Sequence, residues 1–117
     1  MNNKLKILVA DDSLTYRMTI QELLADNGYD ITLAEDGFQA LAQIQKTPPD
    51  LLILDVVMPH LDGVEVCKRI KADPAMRIIP IILLTSKDDS ADKVEGLDAG
   101  APDVLREKVG IREIWRL

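Results

Sequence analysis

Asp11-Asp12, Asp55 and Thr85-Ser86 each stand directly after a short apolar run, LKILVA, LLIL and IIPIILL respectively. A carboxylate at the end of an otherwise apolar segment is costly to bury, so its placement asks for a chemical reason. Aspartates are ionised at neutral pH, and several on one rim repel one another until a cation intervenes. Carboxylates, a backbone carbonyl and water are the hard oxygen donors that suit Mg2+. Taken singly, each group has a plainer role. Asp11-Asp12 ahead of Ser13 suits a helix cap, Asp62-Gly63 suits a turn that restarts a helix, and Thr85 suits a strand. The reading as a site rests on Asp11, Asp12, Asp55 and Thr85 sharing one rim, which depends on the elements that carry them.

Apolar runs of strand length alternate with segments of helical period, which predicts βα units around a parallel sheet. Strands are expected over 5–10, 29–34, 51–55, 78–85 and 102–106, and helices over 13–27, 38–46, 64–71, 89–99 and 111–117. Leu14, Met18 and the Leu23/Leu24 pair are the expected buried stripe of the first helix, and Asn27-Gly28 its stop. Phe38, Leu41 and Ile44 are the expected buried residues of the second helix, which Pro48-Pro49 ends. The third strand is apolar on both alternating faces and is expected at the centre, covered on each side. Pro80 is tolerable near the start of the fourth. The chain thus reads as an α/β protein, a doubly wound (βα)5 domain over 1–117 with its last helix cut short. Its five-stranded parallel sheet is expected in the flavodoxin-like order 2-1-3-4-5. In such a sheet the binding crevice lies beyond the carboxyl ends of the strands, where the three aspartates and Thr85 meet.

Composition narrows the function classes. A chain of 117 residues has the length of a single domain, and 47% hydrophobic with 29% charged residues is ordinary for a globular protein. The formal charge of −6 argues against direct nucleic-acid binding through a basic face. No apolar run approaches the roughly 20 residues of a membrane span, and MNNKLKILVADD lacks a signal-peptide pattern. The expected compartment is the cytoplasm, with no membrane partner. The single cysteine, Cys67, allows no internal disulfide; beside Val66 and Ile70 it reads as a small buried hydrophobe. His60 reads as an exposed loop residue, and Trp115 as a core or partner contact.

Asp11-Asp12 after the first strand, Asp55 in D-V-V-M-P-H-L-D-G, Thr85-Ser86 after the fourth strand and G-L-D-A-G-A before the fifth resemble the receiver domain of two-component response regulators. The resemblance runs from residue 5 to about 105. It implies that Asp55 is a phosphoacceptor, taking a phosphoryl group from a histidine kinase or phosphotransfer protein. It further implies that Asp12, Asp55 and the Val57 carbonyl hold Mg2+, with Asp11 acting mostly through bound water. Thr85 is then the hydroxyl that hydrogen-bonds a phosphoryl oxygen and draws the fourth loop inward, switching contacts with a partner or with an output domain C-terminal to this chain. Such a domain is a signalling phosphoacceptor rather than an enzyme, catalysing at most its own phosphoryl transfer and dephosphorylation.

One region departs from the family pattern. Receivers usually read Gly-Ala-x-x-aromatic-apolar-x-Lys-Pro across the fifth strand, whereas here Gly100 opens G-A-P-D-V-L-R-E-K-V. In straight register Glu107 takes the lysine position, Lys108 the proline position and Val104 the aromatic one. A one-residue shift turns a strand side chain to the other face, so Lys108 is out of register. This favours a receiver that accepts phosphate but transmits it poorly or by another route. The alternative reading is a phosphorylation-independent pseudo-receiver that acts as a protein-interaction module. Two other classes fit less well. An aspartate-nucleophile phosphatase wants a second aspartate where Val57 stands, and a nucleotide binder wants a donor-rich loop where Asp11-Asp12 repels phosphate.

Overall fold

A computed structural model describes residues 4–55, 58–85 and 103–106. Its strands β1 (Lys6–Ala10), β2 (Asp30–Ala34), β3 (Leu51–Asp55), β4 (Ile81–Thr85) and β5 (Asp103–Arg106) pair in parallel in the order β2-β1-β3-β4-β5. Helices α1 (Leu14–Asp26), α2 (Gly37–Lys46) and α3 (Gly63–Ala72) connect the first four strands in part. The doubly wound order and the central β3 are as the sequence predicts. The helices expected over 89–99 and 111–117 lie outside the described residues. Among the described residues no helix is long and apolar enough to cross a membrane.

Strand alternation divides the core into two layers. Leu8, Ala10, Leu52, Leu54, Ile81 and Leu83 pack with Ala40, Ile44, Val66, Cys67 and Ile70 of α2 and α3. Ile7, Val9, Ile53, Ile82 and Leu84 pack with Ile20 and Leu24 of α1. Leu52, Ile53 and Leu54 are all fully buried, as a strand covered on both faces must be. Cys67 is buried as expected, and burial is the main cause that pushes its thiol pKa up.

Each helix begins on a side chain that answers an orphan N–H. Ser13 Oγ accepts from Tyr16 N at 3.2 Å, Asp36 Oδ1 from Gln39 N at 2.8 Å, and Asp62 Oδ1 from Glu65 N at 2.9 Å. The expected stop of α1 is present, with Asn27 as its cap and Gly28 at a positive φ of 88°.

Three expectations are corrected. Leu14 and Met18 are 62% and 52% exposed, and the buried row of α1 is instead Arg17, Ile20 and Leu24. On a helix, Leu14 and Met18 lie roughly a quarter to a third of a turn away from that row. In α2, Phe38 is exposed while Gly37, Ala40 and Ile44 are buried and Leu41 is partly so. The fourth strand begins at Ile81 rather than at 78, and Ile78 is 82% exposed. The chain over 73–79 is a set of turns, with Met76 N and Arg77 N both donating to Asp73 O and Ile79 N to Met76 O. Lys71 Nζ then donates to the carbonyls of Arg77 and Ile79, which turns them away from any strand ladder. Pro80 stands at the mouth of β4, where its carbonyl still accepts from Leu52 N at 3.0 Å.

The rotation of α2 is set by contact with the loop that follows β3. A Cβ at position 37 would collide with the Leu61 carbonyl oxygen and lie 2.7 Å from Val66 Cγ2. Alanine in a helix ordinarily gains about 1 kcal/mol over glycine. Here the backbone contact cannot yield without moving the loop, so Gly37→Ala is expected to destabilise by about 2 kcal/mol, within the usual range for overpacking. Urea denaturation checks the sign: a gain in stability would show that α2 and the loop are not in forced contact.

Candidate metal and phosphoryl site

Alternation and register together build the site. Ile7 and Val9 face α1, so the next residue of that row is Asp11; likewise Ile53 is followed by Asp55. The pairing of Val9 with Ile53 and Ala10 with Leu54 continues to Asp11 beside Asp55. Two carboxylates therefore end adjacent rows on adjacent strands. Both are buried, at 0% and 1% exposure, while Asp12 is exposed. Ligand oxygens from Asp11, Asp12 and Asp55 lie within 4.8 Å of one another. Every expected acidic residue is thus in one cluster.

This donor set fits Mg2+. All the side-chain donors are hard oxygens, and Mg2+ is held by few protein carboxylates with water completing its octahedron; exposed Asp12 leaves the cluster open to solvent. The rest of the expected set is only partly within view. Thr85 closes β4 on the same rim, with Asp55 paired to its neighbour Leu84 and Thr85 itself to Arg106. The Thr85 hydroxyl, Val57, Ser86, Glu107 and Lys108 lie outside what is described, as does the side chain of Val104.

The first turn of α1 brings up two residues that the sequence reading did not single out. Arg17 is 7% exposed, and its Nη1 donates to the Asp11 carbonyl oxygen at 2.6 Å. Its Nη2 lies 3.7 Å from Glu35 Oε1, just past the end of β2. Tyr16 packs against the α1-side core, and its phenol pKa is pushed up to about 12, first by burial and then by the negative charges of Asp11 and Asp55. Burial and the two carboxylates thus both favour the neutral O–H over the phenolate. A signal for both was present: they follow Ser13 by one turn, which returns them over the carboxyl end of β1.

On the far side of Asp55, Met58 and Leu61 are buried and anchor the loop. His60 between them is exposed, as expected, at a positive φ of 69°. Leu61 N donates to Pro59 O at 2.7 Å, closing the turn before Asp62 caps α3.

Comparison with known proteins gives one consistent result. The family model for the response regulator receiver domain matches residues 7–116. Response regulator MprA of Mycobacterium avium is 42% identical over 110 residues, which is 94% of this chain and 47% of the relative. The alkaline phosphatase synthesis transcriptional regulatory protein PhoP of Bacillus subtilis is 43% identical over 109 residues, 93% of this chain and 45% of the relative. The chain thus spans about half the length of the curated relatives it matches. Among solved structures, the receiver domain of a signal transduction histidine kinase from Syntrophus aciditrophicus has a TM-score of 0.86 at 34% identity, over 96% of this chain and 85% of that one. Chemotaxis response regulator CheY4 of Vibrio cholerae has a TM-score of 0.84 at 32% identity, over 97% and 98%.

The elevated phenol pKa has a direction that can be checked. Its folded value of about 12 lies above the ordinary 10.0, so the stabilisation tied to the protonated phenol is fully present below pH 10 and is lost as pH rises towards 12. In metal-free protein, the phenolate absorbance that disappears on Tyr16→Phe should have its midpoint near about 12 when folded, falling to about 10 in denaturant. A folded midpoint of about 10 would place the phenol in solvent, away from the acids.

Proposed function

Since the chain belongs to the response regulator receiver domain family of two-component signalling, we propose that Asp55 is its phosphoacceptor. The observation that carries this is the position of Asp55, buried at the end of the central strand with Asp11 and Asp12 beside it. A histidine kinase or phosphotransfer protein presents a phosphohistidine to this rim. A carboxylate oxygen of Asp55 forms the new P–O bond while the P–N bond breaks, and the imidazole nitrogen leaves with the electron pair.

Phosphoryl transfer of this kind depends more on alignment and charge neutralisation than on a strong nucleophile. Alignment comes from β3, whose packed core on both faces fixes the Asp55 backbone. Asp11, Asp12, Asp55 and the Val57 carbonyl are the residues that would hold Mg2+, which supplies charge neutralisation for the phosphoryl oxygens. Thr85, which ends β4, would offer its hydroxyl to the acyl phosphate. Lys108, one position out of the family register, is not assigned the phosphoryl contact. The domain carries out this transfer in the cytoplasm, which the buried free thiol of Cys67 suits, and passes the change to an output domain C-terminal to this stretch.

Incubation with acetyl phosphate and Mg2+, followed by intact-mass spectrometry, tests the assignment. A single phosphoryl adduct is expected in the native protein and none in Asp55→Asn or with metal chelated. An adduct that survives Asp55→Asn would move the acceptor elsewhere. No adduct in the native protein, with Mg2+ still bound, would make the domain an interaction module that keeps the acid pocket without the chemistry.

A further inference from the structure

Arg17 occupies a place where a charge is not ordinarily put. It lies in the buried row of α1 with Ile20 and Leu24 and is 7% exposed. A guanidinium there is tolerated only if its N–H groups are engaged. One of them donates to the Asp11 carbonyl oxygen at 2.6 Å, a short charge-assisted bond. Another terminal nitrogen stands 3.7 Å from Glu35 Oε1, which is largely exposed. The stronger and drier of the two contacts is the one to Asp11.

Asp11 is held through its backbone and its side chain. Its N–H donates to Ala34 O at 3.1 Å, continuing the sheet, and its Oδ1 accepts from Ser13 N at 2.9 Å. Its carbonyl is held by Arg17. That carbonyl belongs to the peptide plane joining Asp11 to Asp12, and the plane is rigid. Fixing its oxygen therefore also sets the direction in which the chain carries Asp12. Ser13, Tyr16 and the remainder of α1 follow from the same point. Arg17 thus bears on the peptide that joins two of the three carboxylate residues.

We propose that Arg17 is a positioning residue for the cation site: it acts through the Asp11 carbonyl to keep Asp11 and Asp12 aimed at Asp55. This rests on the reading of the acid cluster as an Mg2+ site. Groups that orient metal ligands typically change affinity by about 10- to 100-fold when removed. A counter-charge role would have the opposite sign. Removing a buried cation near three carboxylates favours a bound divalent cation on Coulomb grounds alone, so the direction of the change separates the two roles.

The test is an Mg2+ titration of the native protein, Arg17→Met, Arg17→Lys and Glu35→Gln. It is followed at the Ser13 amide by NMR and, independently, by the rise in melting temperature between EDTA and saturating Mg2+. Arg17→Met keeps the stem without a donor and should bind Mg2+ about tenfold more weakly. Arg17→Lys restores one donor and should recover part of the loss. Glu35→Gln leaves the Asp11 contact and should change affinity less than about twofold, as expected for an exposed partner. Unchanged or tighter Mg2+ binding by Arg17→Met, even with a lower melting point in EDTA, overturns the proposal and leaves Arg17 as packing or counter-charge. Should Arg17→Met fail to fold, Arg17→Gln decides, since it loses the charge and shortens the donor's reach, and native or tighter Mg2+ affinity in that variant overturns it. A native protein whose melting point Mg2+ does not raise would instead overturn the metal reading itself, and the proposal with it.

Discussion

Asp11, just past the end of β1, and Asp55, the last residue of β3, are buried in one cluster, an arrangement opposed both by desolvation and by mutual repulsion. It follows from two local facts, the alternation along β1 and β3 and the register between them. Shifting either strand by one residue would carry a carboxylate into an apolar layer and an isoleucine or leucine to the rim. The layers therefore enforce the site. Leu52 and Leu54 cannot leave the α2 and α3 side, nor Ile53 the α1 side, without losing about 2 kcal/mol of burial each. The register that satisfies the core is the one that crowds the acids.

What opposes the crowding comes largely from α1. The helix starts at Leu14, two residues after Asp12, so the positive end of its dipole lies near the carboxylates. Ser13 N is already committed to Asp11 Oδ1. The guanidinium of Arg17 adds a full positive charge at the Asp11 carbonyl. These are fixed, short-range contributions from the chain itself. A divalent cation would enter an arrangement that these contacts already orient. The neutral phenol of Tyr16 adds no further negative charge, which suits its place over the same pocket.

The strands and the acid cluster were legible in the sequence because both depend on short-range pattern. An apolar run that ends in aspartate shows its own boundary, and the parallel order follows from alternating elements. The rotation of the helices was not legible. Leu14, Met18 and Phe38 are apolar at plausible helical spacing, yet all three face outwards. In α1 the buried row includes an arginine, whose cost is met by Asp11 O, just before the helix, and by Glu35, which only the fold brings near. In α2 the glycine is buried because Leu61 lies against it, a contact across 24 positions of sequence that no periodicity encodes. The late start of β4 has a local origin that apolar pattern alone does not encode. Ile78 and Ile79 continue the apolar run, but Lys71 reaches forward from the end of α3 to the carbonyls of Arg77 and Ile79, and the chain there stays in turns.

The Arg17 and Gly37 contacts fall on the two backbone segments that flank Asp55 in space. On one side Arg17 fixes the peptide after Asp11. On the other, the start of α2 presses on the Leu61 carbonyl, Met58 and Leu61 are buried, and His60 accepts a left-handed conformation that costs a non-glycine residue about 1 kcal/mol. The strain at His60 is tolerated because its neighbours are anchored on both sides. For chemistry in which the nucleophile is a plain carboxylate, rate is sensitive to how well the oxygens are placed before the substrate arrives. A sequence that commits a buried arginine to one flank and a glycine contact to the other constrains the backbone where that placement is decided. The exposed residues of the same helices, Leu14, Met18 and Phe38, carry no share of this constraint.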